Sequence, residues 1–176
     1  LLLSREESVD PLSAKGSYAG AMGKPQFISS SYRRYAVDHD GDGRRDLWQS
    51  NADIIASVAN YFKTHGWRTG EPVTVQARPN GKSDLQSFVD AGMKPSIRVG
   101  ELLANGLQPL DDAVERDPQA LSSLIKLEAV NGNEYWLGLH NFYVITRYNH
   151  SNLYAMATYQ LSQEILAAKQ AAAAGR

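Results

Sequence analysis

Between residues 38 and 48 the chain reads Asp38-His39-Asp40-Gly41-Asp42-Gly43-Arg44-Arg45-Asp46-Leu47-Trp48, and no other stretch restricts its folding so narrowly. Three carboxylates at alternate positions repel one another unless a hard cation sits among them. The spacing is that of the opening of an EF-hand loop: oxygen ligands at positions 1, 3 and 5, a glycine at 6 for the sharp turn, and a backbone carbonyl at 7. Asp38, Asp40, Asp42, Gly43 and Arg44 occupy those positions. Position 12, where such loops carry a bidentate Glu, is Gln49, and Arg45 stands where a small apolar residue is usual. Asp53, in the first turn of the next helical run, is the nearest later carboxylate able to close the shell of a slightly stretched loop. The predicted calcium ligands are therefore Asp38, Asp40, Asp42, the Arg44 carbonyl and Asp53, and the ion's role is structural. Asp and Gly are also ordinary turn formers, so an Asx-rich surface turn is the competing reading.

An EF-hand needs a helix on each side, and the flanks supply helical patterns. Downstream, residues 51–65 place Ile54, Ile55, Val58, Tyr61 and Phe62 on one stripe, with Asn51 as cap and Gly66 as stop. Upstream, Ser29 to Ser31 can cap a short helix carrying Tyr32, Tyr35 and Ala36. Before it, Ser17-Tyr18-Ala19-Gly20-Ala21-Met22-Gly23 is dense in small residues, which lets a backbone or a ligand approach closely. Leu1-Leu2-Leu3, without an initiator Met, reads as the back half of an amphipathic helix continuing to Glu7, so upstream sequence is expected.

From Glu71 the pattern changes. Residues 72–77 alternate as a strand, Pro79-Asn80-Gly81 turns, and short helices are predicted over 84–91 and 99–105. Residues 124–129 alternate again, Asn131-Gly132-Asn133 signals a hairpin, and 135–139 return. Helices follow over 141–149 and 153–169, with a frayed tail at 171–174. The predicted organisation is a core part over 1–70 with the loop at 38–53, a small α/β insertion with antiparallel strands over 71–140, and C-terminal helices over 141–176 that return to the core.

A length of 176 residues suits one domain or a domain plus an insertion. The net charge of −1, with no basic run, argues against nucleic acid as a partner. Zero cysteines exclude disulfides and thiolate metal sites. No apolar run approaches the ~20 residues that span a bilayer.

Three segments together carry a resemblance. They are Gly16-Ser17-Tyr18-Ala19-Gly20-Ala21-Met22-Gly23-Lys24-Pro25-Gln26-Phe27, the 38–48 loop with Ser57-Val58-Ala59-Asn60-Tyr61-Phe62, and Tyr135-Trp136-Leu137-Gly138-Leu139-His140-Asn141-Phe142-Tyr143-Val144-Ile145-Thr146-Arg147-Tyr148-Asn149. They resemble the lytic murein transglycosylase B family, family 103 of the glycoside hydrolases. The resemblance implies an α+β, mainly α fold: a lysozyme-like helical core with an EF-hand-type calcium loop and a small inserted antiparallel β subdomain. It implies periplasmic cleavage of the β-1,4 bond between N-acetylmuramic acid and N-acetylglucosamine in peptidoglycan, closing a 1,6-anhydro ring, with outer-membrane anchoring through an N-terminal part as one option. One glutamic acid acts first as acid and then as base in that reaction, and its pKa must be raised to hold the proton at neutral pH.

In the family that glutamate lies upstream of the Ser17 segment, followed by Ser or Thr and soon by Gly. No Glu here has that context; Glu7-Ser8 comes near the Glu-Ser pair of a goose-type transglycosylase family but falls at a helix end. The expectation is that no catalytic residue lies in this chain, that the acid precedes residue 1, and that the missing part of the same protein is a partner. By resemblance, Ser17, Gln26, Tyr61, Tyr148, Asn149 and Tyr154 bind the glycan strand, a role that aromatic faces and amides suit. Core packing competes for Tyr61 on its apolar helix face, and a helix-end role for Asn149. Two further readings stay open: a non-catalytic, calcium-stabilised peptidoglycan-binding module, and a calcium sensor. Three methionines make a poor Met-rich sensor groove.

Overall fold

A computed structural model describes residues 2–7, 9–81 and 84–175, with Ala113 described by its backbone alone. The chain divides into two compact units, Leu1–His65 and Gly66–Arg176.

The first unit has three helices, α1 (Leu2–Glu6), α2 (Ser29–Tyr35) and α3 (Asn51–Thr64). Leu1, read above as part of the first helix, lies outside the described residues. Between α1 and α2 the chain doubles back twice, through isolated antiparallel bridges from Gly16 to Met22 and from Met22 to Phe27. Helix α3 departs from the sequence reading in two ways. Its cap is Ser50, whose Oγ accepts the Asp53 N–H at 3.3 Å, and Asn51 is the first helical residue. Its buried positions are Asp53, Ser57 and Tyr61 at i, i+4 and i+8, while Ile55 is 70% exposed. The helix buries polar groups because it ties down loops. Ser57 Oγ accepts the Val37 N–H at 3.0 Å, and Asn60 Nδ2 donates to the Tyr35 carbonyl at 2.9 Å. Beside these bonds sits an aromatic cluster in which Tyr61 stacks on His65 at 4.0 Å and meets Tyr35 at 4.7 Å and Phe27 at 5.9 Å.

The second unit is built on a five-stranded antiparallel sheet in the order β2-β4-β5-β1-β3. The strands are β1 (Thr74–Pro79), β2 (Ile97–Arg98), β3 (Leu107–Pro109), β4 (Leu121–Ala129) and β5 (Gly132–Gly138). The hairpin was legible, but Ala129 pairs with Gly132, so the loop is Val130-Asn131 and Gly132 opens β5 at φ +113°. Two small strands, β2 and β3, left no period-2 signal because they are too short to repeat one. Helices α4 (Gln86–Asp90) and α5 (Val99–Ala104) cover the sheet, and Val75, Leu102, Leu107, Leu124 and Leu137 form its apolar core with their neighbours. Leu124 and Ile125 are buried at consecutive positions of β4, so both faces of that strand are covered.

Helix α6 (His140–Tyr148) buries Phe142, Val144 and Ile145. Helix α7 (Asn152–Ala174) buries only Ala155 and Met156. The tail expected to fray at 171–174 is helical, in keeping with the high helix propensity of its alanines. Among the described residues no helix is long and apolar enough to cross a membrane.

Candidate functional site

The 38–48 loop folds around its own carboxylates. Asp38 accepts the N–H groups of Gly41 at 2.7 Å and Gly43 at 2.9 Å, one on each oxygen. Both glycines have positive φ, +77° and +87°, which only glycine adopts without strain. Asp53 closes the loop from α3: its two oxygens accept from His39 N at 2.8 Å and Asp46 N at 2.9 Å. It is fully buried. Burial pushes its carboxyl upward, but backbone donors from His39, Asp46 and Asp40 prevail and hold it below its ordinary value.

Ligand-capable oxygens of Asp38, Asp40 and Asp53 lie within 4.8 Å of one another. Asp42 lies outside that group, with its Oδ1 accepting the Arg44 N–H at 2.8 Å. Three hard anionic oxygens at this separation suit calcium: each carboxylate oxygen has lone pairs beyond the one its N–H donor uses. Sequence reading missed Asp46, whose Oδ1 accepts from Trp48 N at 2.8 Å and Gln49 N at 2.9 Å and so caps the loop's exit. The signal was present, since Asp two residues before a turn is an Asx-turn former.

The loop's exit is joined to the glycine-rich turns. Lys24 N donates to the Leu47 carbonyl at 2.8 Å, and Lys24 Nζ to Asn51 Oδ1 at 3.0 Å. Leu47 is fully buried, and a Cβ on Gly23 would come within 2.7 Å of its carbonyl oxygen. Only glycine permits that approach, at φ +65°. The turn so pinned presents Gln26, which sits at φ +54°, a left-handed conformation that costs a non-glycine residue about 1–3 kcal/mol. Its Nε2 donates to the Gly23 carbonyl at 2.9 Å and its side chain is exposed. Ser17, in the preceding turn, is exposed, and its Oγ accepts the Ala21 N–H at 3.2 Å. Tyr61 is 9% exposed within the aromatic cluster, the packing alternative noted from the sequence.

The Glu7 side chain is largely covered, 8% exposed. Its carboxylate is ion-paired with the Arg45 guanidinium, on the loop whose Arg45 carbonyl takes the hydroxyl of buried Tyr32. Burial foremost, then the Glu7 charge, pushes the Tyr32 hydroxyl up to about 12.

In the second unit a tight α6–α7 connection brings Tyr148 and Tyr154 together, ring centroids 6.5 Å apart and planes within 2° of parallel. Ser151 caps α7 through its Oγ, accepting the Tyr154 N–H at 3.2 Å. Asn149 lies between the helices in extended backbone with its side chain exposed. Aromatic edges and an adjacent free amide can meet the apolar faces and hydroxyls of a sugar.

The chain belongs to the family described as the transglycosylase SLT domain, which matches residues 1–163. It is 48% identical over 169 residues to the membrane-bound lytic murein transglycosylase B of Escherichia coli (strain K12), covering 96% of this chain and 44% of that protein. The catenated lytic transglycosylase SltB1 of Pseudomonas aeruginosa superposes with a TM-score of 0.86 at 53% identity, over 95% of this chain and 54% of that one. The E. coli lytic transglycosylase Slt35, solved in complex with calcium, gives 0.82 at 47% identity, over 95% and 51%. P. aeruginosa SltB3, solved in complex with NAG-NAM-pentapeptide, gives 0.74 at 37%, over 89% and 41%. The chain thus spans about half the length of these relatives.

Proposed function

We propose that this chain carries the glycan-binding and calcium-ordered part of a periplasmic peptidoglycan lytic transglycosylase. Ser17, Gln26, Tyr148, Asn149 and Tyr154 bind the glycan strand, while Tyr61 packs within the aromatic cluster. Calcium is held by Asp38, Asp40, Asp42, the Arg44 carbonyl and Asp53, where it neutralises the clustered carboxylates. The observation that carries the reading is Gln26: an exposed amide in strained backbone, fixed through Gly23 and Leu47 to a carboxylate loop. Strain of this kind persists where surrounding structure over-determines it, as at binding sites.

In the reaction, a carboxylic acid protonates the leaving glycosidic oxygen. The muramic 6-hydroxyl then bonds to C1 while the same carboxylate takes its proton, so the cleavage consumes no water. The acid is supplied from outside these 176 residues. Glu7, tied to Arg45, does not serve. Calcium removal leaves the residues that touch sugar in place chemically but loosens the turn that presents Gln26.

Titration with a NAG-NAM disaccharide tests this. Gln26→Ala and Tyr148→Ala should each weaken binding several-fold at an unchanged melting temperature. Unaltered binding in both variants returns these residues to packing roles and overturns the glycan assignment.

A further inference from the structure

Tyr148, Asn149 and Tyr154 flank the connection between α6 and α7, and His150 lies at its centre. The Ser151 N–H donates to the Asn149 carbonyl at 2.7 Å, which makes a three-residue turn with His150 in the middle. Ser151 Oγ is spent on capping α7, and Asn152 Oδ1 is buried without a hydrogen-bond partner, so neither side chain holds Asn149. The His150 side chain does reach back to α6.

His150 Nε2 lies 3.1 Å from Arg147 Nη1. A guanidinium only donates, so the ring nitrogen it meets must accept: His150 is neutral in this contact, with its proton on Nδ1. Arg147 is itself held on α6, its guanidinium 5.8 Å from the centre of the Tyr143 ring one turn back. The bond thus ties the turn to a helix whose Val144 and Ile145 are buried. The other titratable groups of α6 are Tyr143, Tyr148 and, at its far end, His140. Helix α7 brings Tyr154 and Tyr159, and no charge before Glu164, about 18 Å from its start. Strand β5, which packs on α6, carries Glu134, whose carboxylate accepts the Trp136 indole N–H at 3.2 Å. An imidazolium at 150 would therefore face Arg147 with no carboxylate of α6 or early α7 to offset it. It would also lose the lone pair that the guanidinium uses.

We infer that His150 is a positioning residue for glycan binding: as a neutral acceptor it fixes Asn149 between Tyr148 and Tyr154, and its protonation releases the turn. Imidazoles gain their proton between about pH 8 and pH 5, so the grip on the strand weakens as pH falls through that window. The inference rests on the glycan-binding reading of Tyr148, Asn149 and Tyr154 and adds a pH dependence to it.

The test is calorimetric titration of the full chain with the NAG-NAM disaccharide at about pH 8 and about pH 5, with calcium present. Wild type should bind about threefold more weakly at the lower pH, the size of an exposed charge-assisted contact. His150→Gln, whose carbonyl accepts from Arg147 without titrating, should rescue the high-pH affinity and lose the pH step. His150→Leu, which cannot accept, should bind at both pH values as wild type does at the lower one. His39, His65 and His140 are present in every variant, so the differences belong to His150. Nitrogen NMR of the neutral ring should find its proton on Nδ1. Equal wild-type affinity at the two pH values, a pH step that persists in His150→Gln, full high-pH affinity in His150→Leu, or a ring proton on Nε2 overturns the positioning role and leaves the glycan reading intact. Failure of wild type to bind at the higher pH overturns the glycan reading and this inference together.

Discussion

In the Gly66–Arg176 unit, aliphatic side chains such as Val99, Leu102, Leu107, Leu124 and Leu137 fill the space beneath a regular sheet. In the Leu1–His65 unit the buried apolar residues are mostly aromatic, namely Phe27, Tyr32, Tyr35 and Tyr61, and much of the backbone is irregular. There, carboxylates take the place of strand partners: Asp38, Asp46 and Asp53 accept the backbone N–H groups of Gly41, Gly43, Trp48, Gln49, His39 and Asp46. The difference teaches where each unit's order comes from. Hydrophobic burial is indifferent to ions, whereas a loop organised by clustered anions responds to pH and to a cation.

The largest expected effect lies in the sheet unit. Phe142 is fully buried against Gly138, where an added Cβ would meet its ring at 3.1 Å, so Phe142→Ala should cost about 3–5 kcal/mol. Denaturant unfolding should show this loss equally with and without calcium. Asp53→Asn is the matching change in the first unit. It removes the charge and turns an amide N–H toward a backbone donor, leaving one of the His39 or Asp46 N–H groups unpaired at about 1–3 kcal/mol. Any rise in melting temperature on adding calcium should vanish in this variant. A calcium response that survives Asp53→Asn would break the contrast between the units.

The smallest effect is the pH response of the wild type. Because the folded Asp53 carboxyl is held below its ordinary value, its contribution is complete above about pH 4 and is lost as pH falls through the folded value. Tyr32 gives the opposite sign at the other end: its raised hydroxyl adds stability below about pH 10 that is lost as pH rises through about 12. Fluorescence of Trp48, which packs on the Tyr32 ring at 5.9 Å, should follow both transitions.

Part of the candidate site was legible because its carboxylates stand at fixed spacing. The Asp38, Asp40 and Asp53 cluster followed from the alternation of carboxylates and from the charge on the first turn of α3. The Tyr148–Asn149–Tyr154 group followed from resemblance, while its parallel rings depend on a three-residue connection that no periodicity reveals. The stripe misled at Ile55, which is exposed, for a physical reason. Hydrophobic pattern marks the face that packs on apolar neighbours, but α3 turns its Asp53–Ser57–Tyr61 face toward loop backbone that needs hydrogen-bond partners. The Gly23–Leu47 approach was likewise out of reach, since a glycine's tight contact has no sequence partner to pair it with. The density of small residues around it was the only trace.

The central claim is that cation binding at the carboxylate loop orders the turn presenting Gln26. Amide hydrogen exchange with and without calcium tests it most directly. Protection should rise at residues 38–53 and, through the Lys24–Leu47 hydrogen bond, at residues 22–27, while the strands β4 and β5 remain unchanged. Protection that stays the same at residues 22–27 while rising at 38–53 would contradict the claim.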